Sequence, residues 1–249
     1  MEPIERVSDA EAVAAVRGLA RAMAALRARI ERACVTAKRD ISGIRVLAVT
    51  KGFGPEAIEA AIAANIADIG ENYLQEAQAK FASIAWAAAP TALVHLRRHF
   101  IGKVQRNKAR KIAALFDMVQ TVDAPAIAAE LARGATEANK VLDVLIQVNV
   151  AHDDRNGVPI AQCAALARDI AQHGNLKLRG VMAVGPLDSA HSDEAFDRAE
   201  GAYRALSREH AGIDTLSMGM SADLEAAIAA GTTMVRIGTA LFGQRPSKG

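Results

Sequence analysis

The amino-acid sequence predicts a single (β/α)8 barrel with an extra N-terminal helix. Short runs rich in β-branched residues alternate with alanine-rich helical runs, which is typical of βα units and a parallel sheet. There are eight such runs in 249 residues, the usual size of this barrel. A doubly wound open sheet is the alternative, but no Gly-x-Gly-x-x-Gly motif follows the first predicted strand. No linker rich in proline, glycine or serine divides the chain, so we expect one domain over residues 1–249.

The predicted elements follow one another in a regular order. An amphipathic pattern over residues 9–39, with Ser8 or Asp9 as its cap, indicates a long helix. We expect residues 1–43 to form a helical extension and residues 44–243 to form the barrel. Helical runs such as PEAIEAAIAAN and ADLEAAIAAG separate the strands, as parallel pairing requires. The predicted strands are residues 44–50, 66–70, 93–102, 116–122, 141–150, 176–184, 213–219 and 233–238.

Composition and charge argue against several functional classes. Hydrophobic residues make up 51% of the chain and aromatic residues 4%, so the core must be aliphatic. A formal net charge of +2 gives no overall attraction to nucleic acid or to a membrane. The start of the chain lacks the apolar run of a signal peptide, and no stretch approaches the roughly 18 apolar residues of a membrane span. Two cysteines without ligand spacing suit a reducing compartment and no metal site. We expect a cytoplasmic protein, a monomer or weak dimer, with neither a membrane nor a nucleic-acid partner.

A single lysine ends the first predicted strand, in the stretch VLAVTKGFG. In a barrel, the residues that follow the strands form the active site, so Lys51 is placed where chemistry takes place. Lysine amines form Schiff bases with carbonyl compounds, and a desolvated lysine loses its proton more easily. The alternative interpretation is a structural lysine in a salt bridge.

The loops after the seventh and eighth predicted strands resemble a phosphate site. In SMGMSADLEAAI, Gly219 permits a tight turn and Ser221 is placed to cap the next helix, whose exposed N–H groups would bind an anion. In VRIGTALFG, Gly238 permits close approach of a ligand and Thr239 offers a hydroxyl. Barrels frequently bind phosphate in these two loops. Alternatively, Ser221 is only an N-cap and Gly238 only a turn. A lysine opposite a phosphate site fits either pyridoxal 5′-phosphate or a phosphorylated sugar in a Schiff-base aldolase.

Motifs along nearly the whole chain after residue 44 resemble the YggS/PROSC family of pyridoxal phosphate homeostasis proteins. They are LAVTKG, GENYLQE, HFIGKVQRNK, the VNV…NGV stretch and LSMGMSADLEAAIAAGTTMVRIGTALFG. The resemblance implies the barrel of fold-type III pyridoxal phosphate enzymes, similar to that of alanine racemase. It implies that Lys51 holds the cofactor as a Schiff base, that Asn72 lies near the ring and that Arg236 faces the pyridine nitrogen. The phosphate would be held by Ser217, Ser221, Gly238 and Thr239.

The resemblance implies a protein that binds pyridoxal phosphate and takes part in its intracellular homeostasis, as a buffer or as a carrier toward apoenzymes that require it. No catalytic residue is assigned. The alternative is a small amino-acid racemase, but the second base of that reaction is a tyrosine from a further domain, and this chain stops at GQRPSKG. Its tyrosines are Tyr73 and Tyr203, of which only Tyr73 is near a strand end. An aldolase is less favoured, because barrel aldolases usually carry their lysine on a later strand.

Two further features are left open by the sequence. Family members often have threonine after the lysine, and Gly52 in this position is expected to loosen the turn that carries Lys51. The stretch Arg97–Lys111 contains basic residues and no acidic ones. It is interpreted first as a solvated face, second as a basic rim that attracts an anionic cofactor, and last as a nucleic-acid patch.

Overall fold

Eight parallel strands close into a barrel in the computed structural model of this protein, which describes residues 9–84, 96–151, 156–186 and 188–245. Each strand pairs with the next along the chain, and pairing of the first strand with the last closes the barrel. A two-residue strand, Val158–Pro159, adds to the edge of the fifth. The strands are β1 Arg45–Val49, β2 Asp68–Glu71, β3 Arg97–Phe100, β4 Met118–Val122, β5 Leu142–Asn149, β6 Leu176–Ala183, β7 Thr215–Ser217 and β8 Met234–Ile237.

Helices surround the barrel and connect its strands. Within the described ranges, none is long and apolar enough to cross a membrane. Short 3₁₀ turns precede several of them, as at Ile160–Gln162 before the sixth helix. The helices are α1 Asp9–Thr36, α2 Pro55–Ala63, α3 Leu74–Ser83, α4 Ala109–Leu115, α5 Pro125–Glu137, α6 Cys163–Ala171, α7 Ser192–Glu209, α8 Leu224–Ala229 and α9 Thr239–Phe242.

The predicted (β/α)8 barrel is therefore confirmed. Seven of the eight predicted strands contain an observed one, and the second, predicted over 66–70, overlaps β2, which ends one residue later at Glu71. The N-terminal helix ends three residues earlier than expected, at Thr36. Lys38 has a φ of 55°, and the left-handed backbone there turns the Arg39 N–H back onto the Cys34 carbonyl at 2.9 Å. The described part of this helix starts at Asp9, and the predicted cap Ser8 lies outside the described residues.

The N-terminal helix packs against the outside of the barrel. Leu19, Leu26, Ile30 and Cys34 are buried and recur at helical spacing, so they form the stripe that faces the core. This face packs on α2, α8 and α9. The helix therefore covers the part of the barrel wall that carries the loops after β7 and β8.

Candidate functional site

A cavity of about 390 Å³ opens at the carboxyl ends of the strands, the end where barrels carry their active sites. Six of the seven site residues predicted from the sequence line it, and Ser217 does not. The remaining lining is mostly apolar. The lining residues are Val49, Lys51, Phe53, Asn72, Ile101, Met182, Val184, Met220, Ser221, Ala222, Arg236, Gly238, Thr239 and Arg245.

The turn that carries Lys51 is held firmly. Gly52 has a φ of 77°, a backbone conformation that favours glycine, and its N–H donates to Glu76 Oε1 at 2.5 Å. This bond argues against the expectation that Gly52 loosens the turn, because the positive φ directs its N–H onto a carboxylate of α3. Among the described residues no carboxylate forms an ion pair with Lys51, so the structure does not support the structural-lysine alternative.

The surroundings of Lys51 favour the neutral amine. Burial lowers the pKa of Lys51, and the positive charges of Arg245 and Arg236 lower it further. Glu71 and Glu76 act in the opposite direction with smaller effects. A lysine with a lowered pKa presents more free amine at neutral pH, which is the form that attacks a carbonyl carbon.

The loop after β7 brings Ser221 to the cavity, but not as a helix cap. The N-cap residue of α8 is Asp223, so the capping role expected for Ser221 is wrong. The Asp223 side chain makes no capping hydrogen bond to the helix, and its Oδ1 accepts instead from the Met220 N–H at 2.6 Å. Gly219, with a φ of 94°, makes the turn in a space where a Cβ would stand 2.5 Å from the Ala227 Cβ. The Ser221 hydroxyl is thus not needed for capping and is left for a ligand.

The same loop is tied to the N-terminal helix. Arg29 of α1 donates through Nη1 to the Ser221 carbonyl at 2.7 Å and through Nε to Glu225 Oε1 at 2.5 Å. The loop after β8 completes this side of the cavity, where Gly238 precedes α9 and Thr239 is exposed. Ser221 and Thr239 therefore present two hydroxyls from neighbouring loops.

Arg236 reaches the cavity from the barrel interior and is 5% exposed. Its guanidinium donates to the Ser217 carbonyl at 2.8 Å, to Ser217 Oγ at 2.9 Å and to the Ala183 carbonyl at 2.8 Å. Burial lowers the pKa of Arg236 to about 10, so it stays charged at neutral pH. Glu225, the carboxylate at the start of α8, pairs with Arg29 and not with Arg236.

A chain of buried hydrogen bonds extends from Arg236 to the opposite end of the barrel. Ser217 Oγ donates to Gln120 Oε1 at 2.7 Å, and Gln120 Nε2 lies 2.9 Å from His99 Nδ1. His99 Nε2 lies 2.7 Å from Asp68 Oδ1. Since an ionised Asp68 only accepts, His99 donates from Nε2 and accepts at Nδ1, and every group in the chain donates in the same direction. Ser217 therefore lies beneath the cavity as a support for Arg236.

Asn72 presents an unused acceptor. It follows β2 and lines the cavity, and its Oδ1 is buried without a hydrogen-bond partner among the described residues. Buried polar atoms in proteins nearly always have a partner, so an unpaired one beside a cavity indicates a ligand that donates to it.

Sequence reasoning missed Arg245, which lines the cavity from the segment after α9. Its aliphatic stem packs over Gly52, where a Cβ would stand 3.0 Å from the Arg245 Cδ. The only signal for Arg245 in the sequence was the position of an arginine shortly after the GTALFG motif. Phe53 and Phe242, with ring centroids 5.3 Å apart, connect the loop after β1 with the end of α9, shortly before Arg245.

Several arginines of the basic stretch pair with carboxylates of neighbouring elements. Arg97 pairs with Asp143 at 2.5 Å and Arg98 with Asp117 at 2.8 Å. Arg110 pairs with Glu130 at 2.9 Å. These pairs favour the interpretation as a surface face over a nucleic-acid patch.

Comparison with known proteins places this site in context. Residues 22–246 match the family described as alanine racemase, N-terminal domain. A pyridoxal phosphate homeostasis protein of Pseudomonas aeruginosa is 42% identical over 230 residues, which cover 91% of this chain and 96% of that protein. The structure of PipY from Synechococcus elongatus with PLP bound aligns at 32% identity and a TM-score of 0.76, over 90% of this chain and 100% of that one. An alanine racemase of Clostridium difficile, 15% identical with a TM-score of 0.65 over 83% of this chain and 53% of that one, shares the fold.

Proposed function

Because this chain belongs to the family of pyridoxal phosphate homeostasis proteins, we propose that it binds pyridoxal 5′-phosphate on Lys51 and holds it as part of the intracellular homeostasis of that cofactor. The single observation that carries the proposal is the placement of Lys51 in one cavity with the hydroxyls of Ser221 and Thr239 and the guanidinium of Arg236. Relatives of this family are named as homeostasis proteins rather than as enzymes. Transfer of the cofactor to apoenzymes that require it is the role we propose for a protein with this site.

The residues present fit the cofactor. The cavity, at about 390 Å³, is within the range of roughly 300–1,000 Å³ typical of small-molecule sites. Arg236 and Arg245 supply positive charge for a phosphorylated ligand, and Ser221 and Thr239 supply hydroxyl donors. The unpaired Asn72 Oδ1 supplies an acceptor at the cavity wall.

Each residue has a distinct part in holding the cofactor. Pyridoxal phosphate supplies an aldehyde and a ring that withdraws electrons strongly when its nitrogen is protonated. Lys51 Nζ, as the free amine, would attach the aldehyde carbon, with release of water. Ser221 and Thr239 would hold the phosphate, and Arg236 would face the ring nitrogen with an N–H donor. A guanidinium keeps its proton and repels a second positive charge, so Arg236 favours the unprotonated ring nitrogen.

The same arrangement supports binding without robust catalysis. An unprotonated ring stabilises a carbanion poorly, so Arg236 weakens the chemistry on which racemases and decarboxylases depend. Racemisation through two bases also needs a proton donor opposite Lys51. Among the described residues that line the cavity, the ionisable side chains are Lys51, Arg236 and Arg245, and neither Tyr73 nor Tyr203 is one of them. We therefore favour the binding role over the alternative of a small racemase.

Titration of the cofactor-free protein with pyridoxal phosphate tests the proposal. We expect a new absorption band in the visible range, saturating at one cofactor per chain, and no racemisation of alanine at ordinary enzyme rates of roughly 1–1,000 per second. Absence of binding would contradict the proposed ligand. Binding with racemisation at those rates would return the protein to the enzyme alternative.

A further inference from the structure

A buried lysine lies directly behind the turn that carries Lys51. Lys80 of α3 is 5% exposed, and its Nζ donates to the Thr50 carbonyl at 2.7 Å, to Glu71 Oε1 at 2.7 Å and to Glu76 Oε1 at 2.6 Å. An ammonium group has three protons, and these three acceptors use all of them. Its position is therefore fixed, and the cavity ligand has no contact with it.

This cluster holds the backbone on both sides of Lys51. The Thr50 carbonyl belongs to the peptide group before Lys51 and accepts from Lys80. The Gly52 N–H belongs to the peptide group after Lys51 and donates to Glu76, through the same Oε1 that accepts from Lys80. Glu71 accepts from the Thr50 hydroxyl at 2.7 Å as well. One ammonium group and two carboxylates thus determine the orientation of both peptide planes from which the Lys51 side chain extends.

We propose that Lys80 and Glu76 are positioning residues for Lys51: they fix its peptide groups so that Nζ points into the cavity in the orientation that reacts with an aldehyde. This inference rests on the proposed function, because it assigns a part in forming the covalent link to the cofactor. The reaction of Lys51 Nζ with the aldehyde carbon is sensitive to displacements of the amine by about 1 Å. The contacts to the phosphate and to the ring come from other loops, so a shift of the Lys51 backbone does not alter them.

A role in stability alone explains the cluster less well. Replacing a buried ion pair by apolar residues is often neutral or stabilising, so such a cluster is weak evidence for a stabilising role. Glu71 is fully buried, its Oε2 has no partner among the described residues, and burial raises the pKa of this carboxyl. The cluster thus keeps near Lys51 a carboxyl group whose burial costs free energy. The hydrogen bonds of the cluster to the main chain are made to the two peptide groups that orient Lys51.

Two ligands separate positioning from general loosening of the site. Pyridoxal 5′-phosphate has the aldehyde, whereas pyridoxine 5′-phosphate has the same ring and phosphate but an alcohol that forms no Schiff base. Dissociation constants for both are measured for the wild type, Glu76→Ala, Glu76→Gln and Glu56→Ala. Glu56 is the matched control, since it accepts from the Gly54 N–H at 2.9 Å in the same turn but does not flank Lys51.

We expect Glu76→Ala to weaken pyridoxal phosphate binding about tenfold, with pyridoxine phosphate binding changed less than about twofold. Glu76→Gln keeps an acceptor for Gly52 and should restore most of the loss, and Glu56→Ala should bind both ligands as the wild type does. Lys80→Met, if it folds, should show the same selective loss. Equal weakening of both ligands, or no change in either, would overturn the positioning role. Failure of the wild type to prefer the aldehyde would instead contradict the proposed function.

Discussion

Arg236 donates from Nη1 to the hydroxyl of Ser217 at 2.9 Å, and that hydroxyl donates in turn to Gln120 at 2.7 Å. Arg236, Ser217 and Gln120 are all buried. Because the Ser217 hydroxyl donates its proton to Gln120, an oxygen lone pair remains to accept from the Arg236 guanidinium. The residue that we assign to the cofactor ring nitrogen is therefore oriented by side chains that do not contact the cavity.

Substitution of Ser217 by alanine should destabilise the protein. It leaves Gln120 Oε1 without its donor in the barrel interior, a loss of about 1–3 kcal/mol in the free energy of unfolding. Urea denaturation measures the change. Ser207→Ala is the control, because its hydroxyl also donates once, to the Tyr203 carbonyl at 2.9 Å, but is exposed. Equal effects of the two substitutions would contradict the buried chain.

The stability of the protein should fall as the pH drops below 6.5. Burial lowers the pKa of His99 below its ordinary value of 6.5 in the folded state. Above pH 6.5 His99 is mostly neutral in both the folded and the unfolded state. Below pH 6.5 the unfolded chain binds a proton at this residue that the folded chain does not bind, so the free energy of unfolding decreases. Denaturation of the wild type and of His99→Gln at pH 7.5 and 5.5 checks the sign. We expect a smaller decrease in the variant, and an equal decrease would show that His99 is not the source.

The phosphate loops should control the release of the cofactor. A hydrogen bond from a hydroxyl to a phosphate dianion contributes about 1.5–3 kcal/mol, so Ser221→Ala and Thr239→Ala should each release pyridoxal phosphate faster. Because Asp223 is the N-cap residue of α8, Ser221→Ala should leave the melting temperature nearly unchanged. Stopped-flow trapping of released cofactor gives the rates. Release at the wild-type rate in the double variant would place the phosphate elsewhere.

The N-terminal helix should also affect release, through Arg29. Its bond to the Ser221 carbonyl at 2.7 Å fixes the loop that presents the Ser221 hydroxyl. Arg29→Ala should speed release by a few fold, since a hydrogen bond contributes about 0.5–1.5 kcal/mol and here acts indirectly. Arg32→Ala, which removes the same charge one turn further along α1, is the control and should leave the rate unchanged. Identical rates in all three proteins would show that α1 does not hold this loop.

Local patterns in the sequence were sufficient for the barrel and for most of the site. Lys51 was found because it follows a strand and precedes a glycine, and Arg236 because the motifs around it resemble those of a known family. The closed barrel brings both side chains to one cavity. The chain from Ser217 to Asp68 could not be found in this way. Ser217 and Gln120 are 97 positions apart, and their bond depends on which strand residues face the barrel interior. Ser221 was misjudged as a cap because α8 begins later than expected, with Asp223 at the N-cap position.

Reduction with sodium borohydride followed by peptide mapping tests most directly whether Lys51 carries pyridoxal phosphate. Reduction converts a Schiff base into a stable secondary amine, so the modified residue can be identified by mass. We expect one adduct per chain, on the peptide that contains Lys51, in the wild type and in the control Lys103→Ala, whose lysine is exposed near the strand ends. In Lys51→Ala we expect no adduct. An adduct of unchanged yield in Lys51→Ala, or one mapped to another lysine in the wild type, would contradict the assignment.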